Sequence, residues 1–225
     1  MDFLDRFLQV PLANLPFYIL ALIFAFTVHE FSHAYFANKF GDPTAKLLGR
    51  VTLNPAVHID FLGTLLLLIG GFGWAKPVPV NRANFTRPRL MGVIVSVAGP
   101  LSNLLLSVVG LFIFHLLNYF GVLEGIENQR VYMAVYYFFN YLVSLNMFLF
   151  LFNLIPLPPL DGYRIVEDLA PRSALPALQR YEQWSLFIFL LIVFIPALRN
   201  VTIVPIYEFA NFLVRSFGQV FLHLF

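Results

Sequence analysis

Apolar residues in this chain come in long unbroken runs rather than in the alternating or one-sided patterns of a water-facing fold. A helix needs about 20 such residues to cross a bilayer. Three runs reach that length: Pro16 to Phe36, Leu90 to Phe120 and Val131 to Leu154. Two further segments, Trp184 to Leu198 and Val201 to Phe225, are interrupted by Pro196 and Pro205, each of which removes a helix hydrogen bond. A shorter run, Phe61 to Ile69, is closed by Gly70-Gly71-Phe72-Gly73 and cannot cross alone. The pattern predicts an all-α polytopic membrane protein with about five to six membrane segments. With no internal repeat and no appended soluble stretch, residues 1–225 read as one membrane-embedded domain.

The polar positions orient these segments. Lys46 and Arg50 precede the short run, and Lys76, Arg82, Arg87 and Arg89 follow it. Basic loops stay in the cytoplasm, so both flanks belong there and the short run is expected to be re-entrant or a shallow hairpin. The loop holding Glu124 and Glu127 then falls outside, and the polar loop with Arg164, Arg172 and Arg180 returns to the cytoplasm. The opening residues, Met1 to Arg6, have no basic n-region and no cleavage site beyond a short apolar core, so the first segment is expected to be retained.

Composition narrows the classes. Of 225 residues, 60% are hydrophobic and 12% charged, whereas a soluble domain carries roughly twice that charge. The net charge of +2 comes with no basic stripe and no interleaved aromatics, so nucleic acid is not an expected partner. There is no cysteine, so any metal must bind through His, Asp or Glu.

The candidate chemistry sits inside the first run, as His29-Glu30-Phe31-Ser32-His33. Residues four apart share a helical face, so both imidazoles can ligate one ion. Zinc lowers the pKa of bound water, and Glu30 is placed to take the proton. A charged Glu in an apolar helix costs at least about 2.5 kcal/mol, which argues for a function. If Lys39 marks the interface, His33 lies about 9 Å and His29 about 15 Å below it, so water must enter through a cavity from the cytoplasm.

Zinc needs a third protein ligand and an open position. Asp161, His58, His115 and His223 are the candidates. Asp161 follows Asn153-Leu154-Ile155-Pro156-Leu157-Pro158-Pro159-Leu160, a broken backbone of the kind tolerated beside a wet cavity, and Gly162 permits a tight turn after it. Its bland reading is an interfacial helix cap. His58 is the rival, though its neighbour Asp60 favours an orienting role. His115 and His223 sit alone on apolar segments and read as packed or interfacial.

Four stretches together resemble the site-2 protease family of intramembrane metalloproteases, in the short bacterial branch without PDZ or CBS domains. They are His29–His33, Asn54-Pro55 to Asp60, Gly99-Pro100-Leu101-Ser102-Asn103, and Asn153 through Asp161-Gly162. The resemblance implies one zinc ion held by His29, His33 and Asp161, Glu30 as catalytic acid/base, and Asn153 near the reacting carbonyl. It implies a three-helix catalytic core within about residues 14–165, C-terminal membrane segments at about 184–225, and transmembrane proteins of the cell membrane as substrates. The expected activity is regulated intramembrane proteolysis, with the active site opening toward the cytoplasm. The other class to weigh is a transporter or channel with an intramembrane metal or proton site, which would spread polar residues along several helices.

Two further readings concern packing and access. Gly92, Ser96, Gly99, Asn103, Ser107 and Gly110 form a small-residue stripe suited to close helix packing more than to chemistry. Asn146 and Asn153, seven apart, share a face leading toward Asp161, with an interhelical hydrogen bond as the simpler role of Asn146. Trp74 to Asn81, or Arg50 to Leu53, is expected to form an edge that pairs with unwound substrate by strand addition.

Overall fold

The computed structural model describes residues 10–70 and 73–224. Met1 to Arg6, the last residue Phe225 and the middle of the Gly70–Gly73 closure therefore lie outside the described residues. Among the described residues all regular structure is helical and none is a strand. The helices are α1 (Leu15–Lys39), α2 (Thr44–Leu47), α3 (Phe61–Gly70), α4 (Pro88–Tyr119), α5 (Gln129–Asn153), α6 (Asp161–Leu169), α7 (Leu175–Phe194) and α8 (Pro196–Leu224).

Among the described residues three helices are long and apolar enough to cross a membrane: α1 with the turn before it, α4 and α5. They match the three long runs of the sequence. The helices α7 and α8 qualify together as one broken span bent by 89°, giving three to four candidate spans where the sequence suggested five to six segments. Polarity is the reason. Arg180 and Glu182 occupy α7, and Arg199, Glu208 and Arg215 occupy α8. The ten residues of α3 reach only about 15 Å, half of a hydrocarbon core.

Two boundaries differ from the sequence reading. Residue Ile195 is extended, as residues before proline tend to be, and Pro196 opens α8, where its missing N–H costs nothing. Pro205 does not interrupt α8. The stretch after Asp161, expected as a loop, is the strongly amphipathic helix α6. Its charges form a network: Arg164 donates to Glu167 at 2.9 Å and to Glu182 of α7 at 2.8 Å, and Arg82 donates to Asp168 at 2.9 Å.

The core is built where α1, α4 and α5 pack on one another. All six members of the small-residue stripe are buried on α4. Ala21, Ala25, Ala34 and Ala37 are buried on α1, so the backbones approach closely. Ser107 Oγ donates to the Val143 carbonyl of α5 at 2.8 Å. Large side chains such as Leu20, Phe24, Leu101, Leu105 and Phe112 point outward, as lipid-facing helices require.

The two connections flanking α3 are sewn together across the end of α1. Buried Asp42 accepts from the Asn81 N–H at 2.7 Å and from Asn84 Nδ2 at 2.7 Å. Lys76 N–H donates to the His58 carbonyl at 2.8 Å, and Arg50 donates to the Lys76 carbonyl. The Trp74–Asn81 segment, expected as an edge strand, is thus irregular backbone whose polar groups at Lys76 and Val78 are already engaged inward.

Candidate active site

Midway along α1, His29 and His33 face inward one turn apart, both buried. Opposite them the chain leaves α5 at Asn153, makes an irregular turn through the prolines, and re-enters a helix at Asp161. Gly162 is needed there because of crowding: a Cβ would run into the backbone of Leu154 and Ile155. Its role is close approach rather than the special turn geometry expected from the sequence.

These elements bring three donors together. The His29 and His33 Nε2 atoms stand 3.1 Å apart. Asp161 Oδ2 lies 3.1 Å from His29 Nε2, and Oδ1 lies 3.3 Å from His33 Nε2. Among the described residues these are the His, Asp and Glu side chains grouped closely enough to hold a metal ion.

The surroundings fix which ring nitrogens are free. His33 Nδ1 donates to the Val95 carbonyl at 2.7 Å. His29 Nδ1 donates to Asn103 Oδ1 at 2.6 Å. Both Nε2 lone pairs therefore point at each other and at a carboxylate, and Asp161 Oδ2 is buried without a hydrogen-bond partner. Such a cluster calls for a cation. Ligands about 2.0–2.1 Å from a tetrahedral zinc stand about 3.3 Å apart, close to the spacings found here. The residues fit the metal.

Glu30, also buried, accepts from the Val78 N–H at 2.9 Å through Oε2. It shares a cavity of about 720 Å³ with the His29, His33 and Asp161 side chains, the Trp74–Val80 segment and Asn153. The Asn153 amide donates to the Leu149 carbonyl at 3.0 Å, so it lines the cavity with its oxygen uncommitted by that bond.

The other candidates fall away. His58 is fully buried but outside the cluster, its Nε2 donating to the Thr52 carbonyl at 2.7 Å. Asp60 does not orient it; Asp60 Oδ1 accepts from the Gly63 N–H at 2.7 Å and caps α3. His115 packs beside Phe114 and Phe221, and His223 is exposed. Gly99 and Asn103 belong to one of the four stretches that carry the resemblance, but the sequence reading gave them no role beyond packing. Gly99 lies against the two imidazoles, where any Cβ would collide with them. A polar side chain inside an apolar span was the available signal, applied to Glu30, Asn146 and Asn153 but not to Asn103.

Comparison with known proteins identifies the family. The profile of peptidase family M50 matches residues 17–196, most of the chain. The chain belongs to peptidase family M50. It is 48% identical over 194 residues to a Bacillus subtilis (strain 168) protein carrying the name zinc metalloprotease YwhC, covering 86% of this chain and 87% of that one. It is 28% identical to the Mycolicibacterium smegmatis (strain ATCC 700084 / mc(2)155) protein carrying the name zinc metalloprotease Rip2, covering 93% of this chain and 82% of that one. No solved structure matches. With the family's name comes the chemistry: this M50 protein is a zinc metalloprotease with several helices apolar enough to span a membrane.

Proposed function

We propose that this M50 protease hydrolyses peptide bonds within or at the edge of transmembrane segments of other proteins in the cell membrane. The observation that carries the reading is that His29 and His33, buried within a membrane-length helix, meet Asp161 and line one cavity with it and Glu30. A soluble peptide has little reason to meet a site there; a membrane-embedded one does.

In this reading His29, His33 and Asp161 hold the zinc ion. When bound, zinc supplies a Lewis acid that polarises the scissile carbonyl and acidifies water. Glu30 takes a proton from the attacking water and returns it to the departing amine. The Val78 N–H holds that carboxylate against one wall of the cavity. Asn153, which also lines the cavity, donates to the carbonyl oxygen as charge develops on it. Helical substrate must unwind to expose its backbone, and the cavity's irregular 74–80 wall offers it a surface.

Orientation follows the basic residues. Lys39, Lys46, Arg50, Lys76, Arg82, Arg164 and Arg172 lie at the end of α1, in the connections flanking α3, and in and after α6, and the side they mark is taken as cytoplasmic. Added to α1, α4 and α5, a re-entrant α3 and the two arms of the bent α7–α8 pair counted separately give six membrane segments, and five if α3 stays at the surface. The transporter reading would need polar groups from face to face, whereas the buried amides of Asn103 on α4 and Asn146 on α5 lead to His29.

The test uses the purified full chain, zinc stoichiometry and a panel of single-span substrates. Glu30→Gln should keep its zinc and lose cleavage at least about 100-fold. Full cleavage by that variant would overturn the assignment of Glu30, and absence of zinc from wild type would overturn the site.

A further inference from the structure

A chain of buried amides runs from α5 to the first imidazole. Asn103 and Asn146 are both fully buried. Asn146 Nδ2 donates to the Leu142 carbonyl of its own helix at 2.8 Å. That leaves Asn146 Oδ1 as an acceptor, and Asn103 Nδ2 donates to it at 2.7 Å. Asn103 Nδ2 also donates to the Ala25 carbonyl of α1 at 3.3 Å. With its nitrogen committed twice, Asn103 can offer only its oxygen to His29 Nδ1, 2.6 Å away.

Each link dictates the next. A backbone carbonyl can only accept, so Leu142 fixes the direction of the Asn146 amide. Asn146 and Ala25 then fix the Asn103 amide. Asn103 in turn requires the proton of neutral His29 to sit on Nδ1, leaving Nε2 bare. We propose that Asn103 and Asn146 are positioning residues that set the His29 tautomer and thereby zinc affinity. This rests on the reading of His29 as a zinc ligand. It gives two amides of an apolar bundle a task beyond gluing helices.

Interhelical glue alone makes a different prediction, and Ser107 separates the two. Its hydroxyl bonds α4 to α5 one turn from Asn103 and is equally buried, yet it has no link to His29. Zinc affinity of the purified full chain is measured by competition with a chromophoric chelator for wild type, Asn103→Leu, Asn103→Asp, Asn146→Leu and Ser107→Ala. Cobalt is loaded in parallel and its visible absorption recorded, which reports the ligand field of the ion independently of activity.

Asn103→Leu leaves the His29 Nδ1–H without an acceptor and should weaken zinc about 10- to 100-fold. Asn146→Leu should weaken it in the same direction and shift the cobalt spectrum. Asn103→Asp restores an acceptor for Nδ1–H and should bind zinc within about threefold of wild type, while Ser107→Ala should leave affinity and spectrum unchanged. Equal zinc affinity in wild type and both leucine variants would overturn the relay, with His29→Ala serving to show that His29 is a ligand at all. If His29→Ala binds zinc as wild type does, the assignment of His29 fails instead. A loss in Ser107→Ala matching the asparagine variants would reduce the pair to packing.

Discussion

Gly99 has the smallest side chain in the site and one of the strictest requirements. A methyl group there would press on both imidazole Nε2 atoms, in the space the ion would fill. Overpacking of this kind typically costs about 1–3 kcal/mol, so Gly99→Ala should weaken zinc binding about tenfold or more. Retained helix content in circular dichroism would locate the damage at the site. A zinc affinity equal to wild type would contradict the tight contact. His58 lends itself to a pH experiment. Burial, with Arg50 nearby, keeps its imidazole below the ordinary value against the opposing Thr52 bond. The folded state therefore binds fewer protons at this group than the unfolded one. Its stabilisation is complete above about pH 6.5 and declines as pH falls toward the lower folded value. The thermal midpoint of wild type should drop further between pH 7.5 and 5.5 than that of His58→Gln, and identical drops would reject the assignment.

At the scale of elements, the irregular 74–80 segment is tied to the chemistry by one backbone bond. Its prolines 77 and 79 have no N–H, while Val78 gives its N–H to Glu30. Replacing Val78 by proline thus removes a donor to a carboxylate, an interaction worth about 1.5–3 kcal/mol. Val78→Pro should retain zinc and lose at least about tenfold in kcat, while Val78→Ala, which keeps the N–H, should stay within about threefold. Equal loss in both would point to side-chain packing instead. Helix α6 is the other element that matters, because Asp161 opens it. The Arg82–Asp168 and Arg164–Glu182 pairs lock this amphipathic helix between α7 and the connection before α4. Its nine residues carry an amphipathic period, but the sequence was divided by long apolar runs and so short a charged stretch was read as the loop between them.

For the whole molecule, orientation is the property open to direct test. The chain has no cysteine, so a single one reports its own side of the membrane. In intact cells, Glu124→Cys should react with an impermeant maleimide, and Lys46→Cys should react only after permeabilisation. The reverse pattern would invert the proposed topology and move the cavity mouth to the outer face.

Much of the design was legible in the residues alone. The three long spans follow from run length against bilayer thickness, and the His29–His33 spacing follows from the helical repeat; both are local properties that a linear string carries in full. Zinc itself was constrained early, since a chain without cysteine leaves only nitrogen and oxygen donors. What the string left open was closure between distant segments. Asp161 lies 132 residues from His29 in the numbering, and only the packing of α4 and α6 between them makes it a neighbour where His58 is not. The hydrogen-bond directions from Leu142 through Asn146 and Asn103 to His29, and the grip of Val78 on Glu30, likewise arise only when separate helices and connections meet at hydrogen-bonding distance. No periodicity encodes such contacts, because their energy depends on the simultaneous position of groups that the sequence keeps far apart.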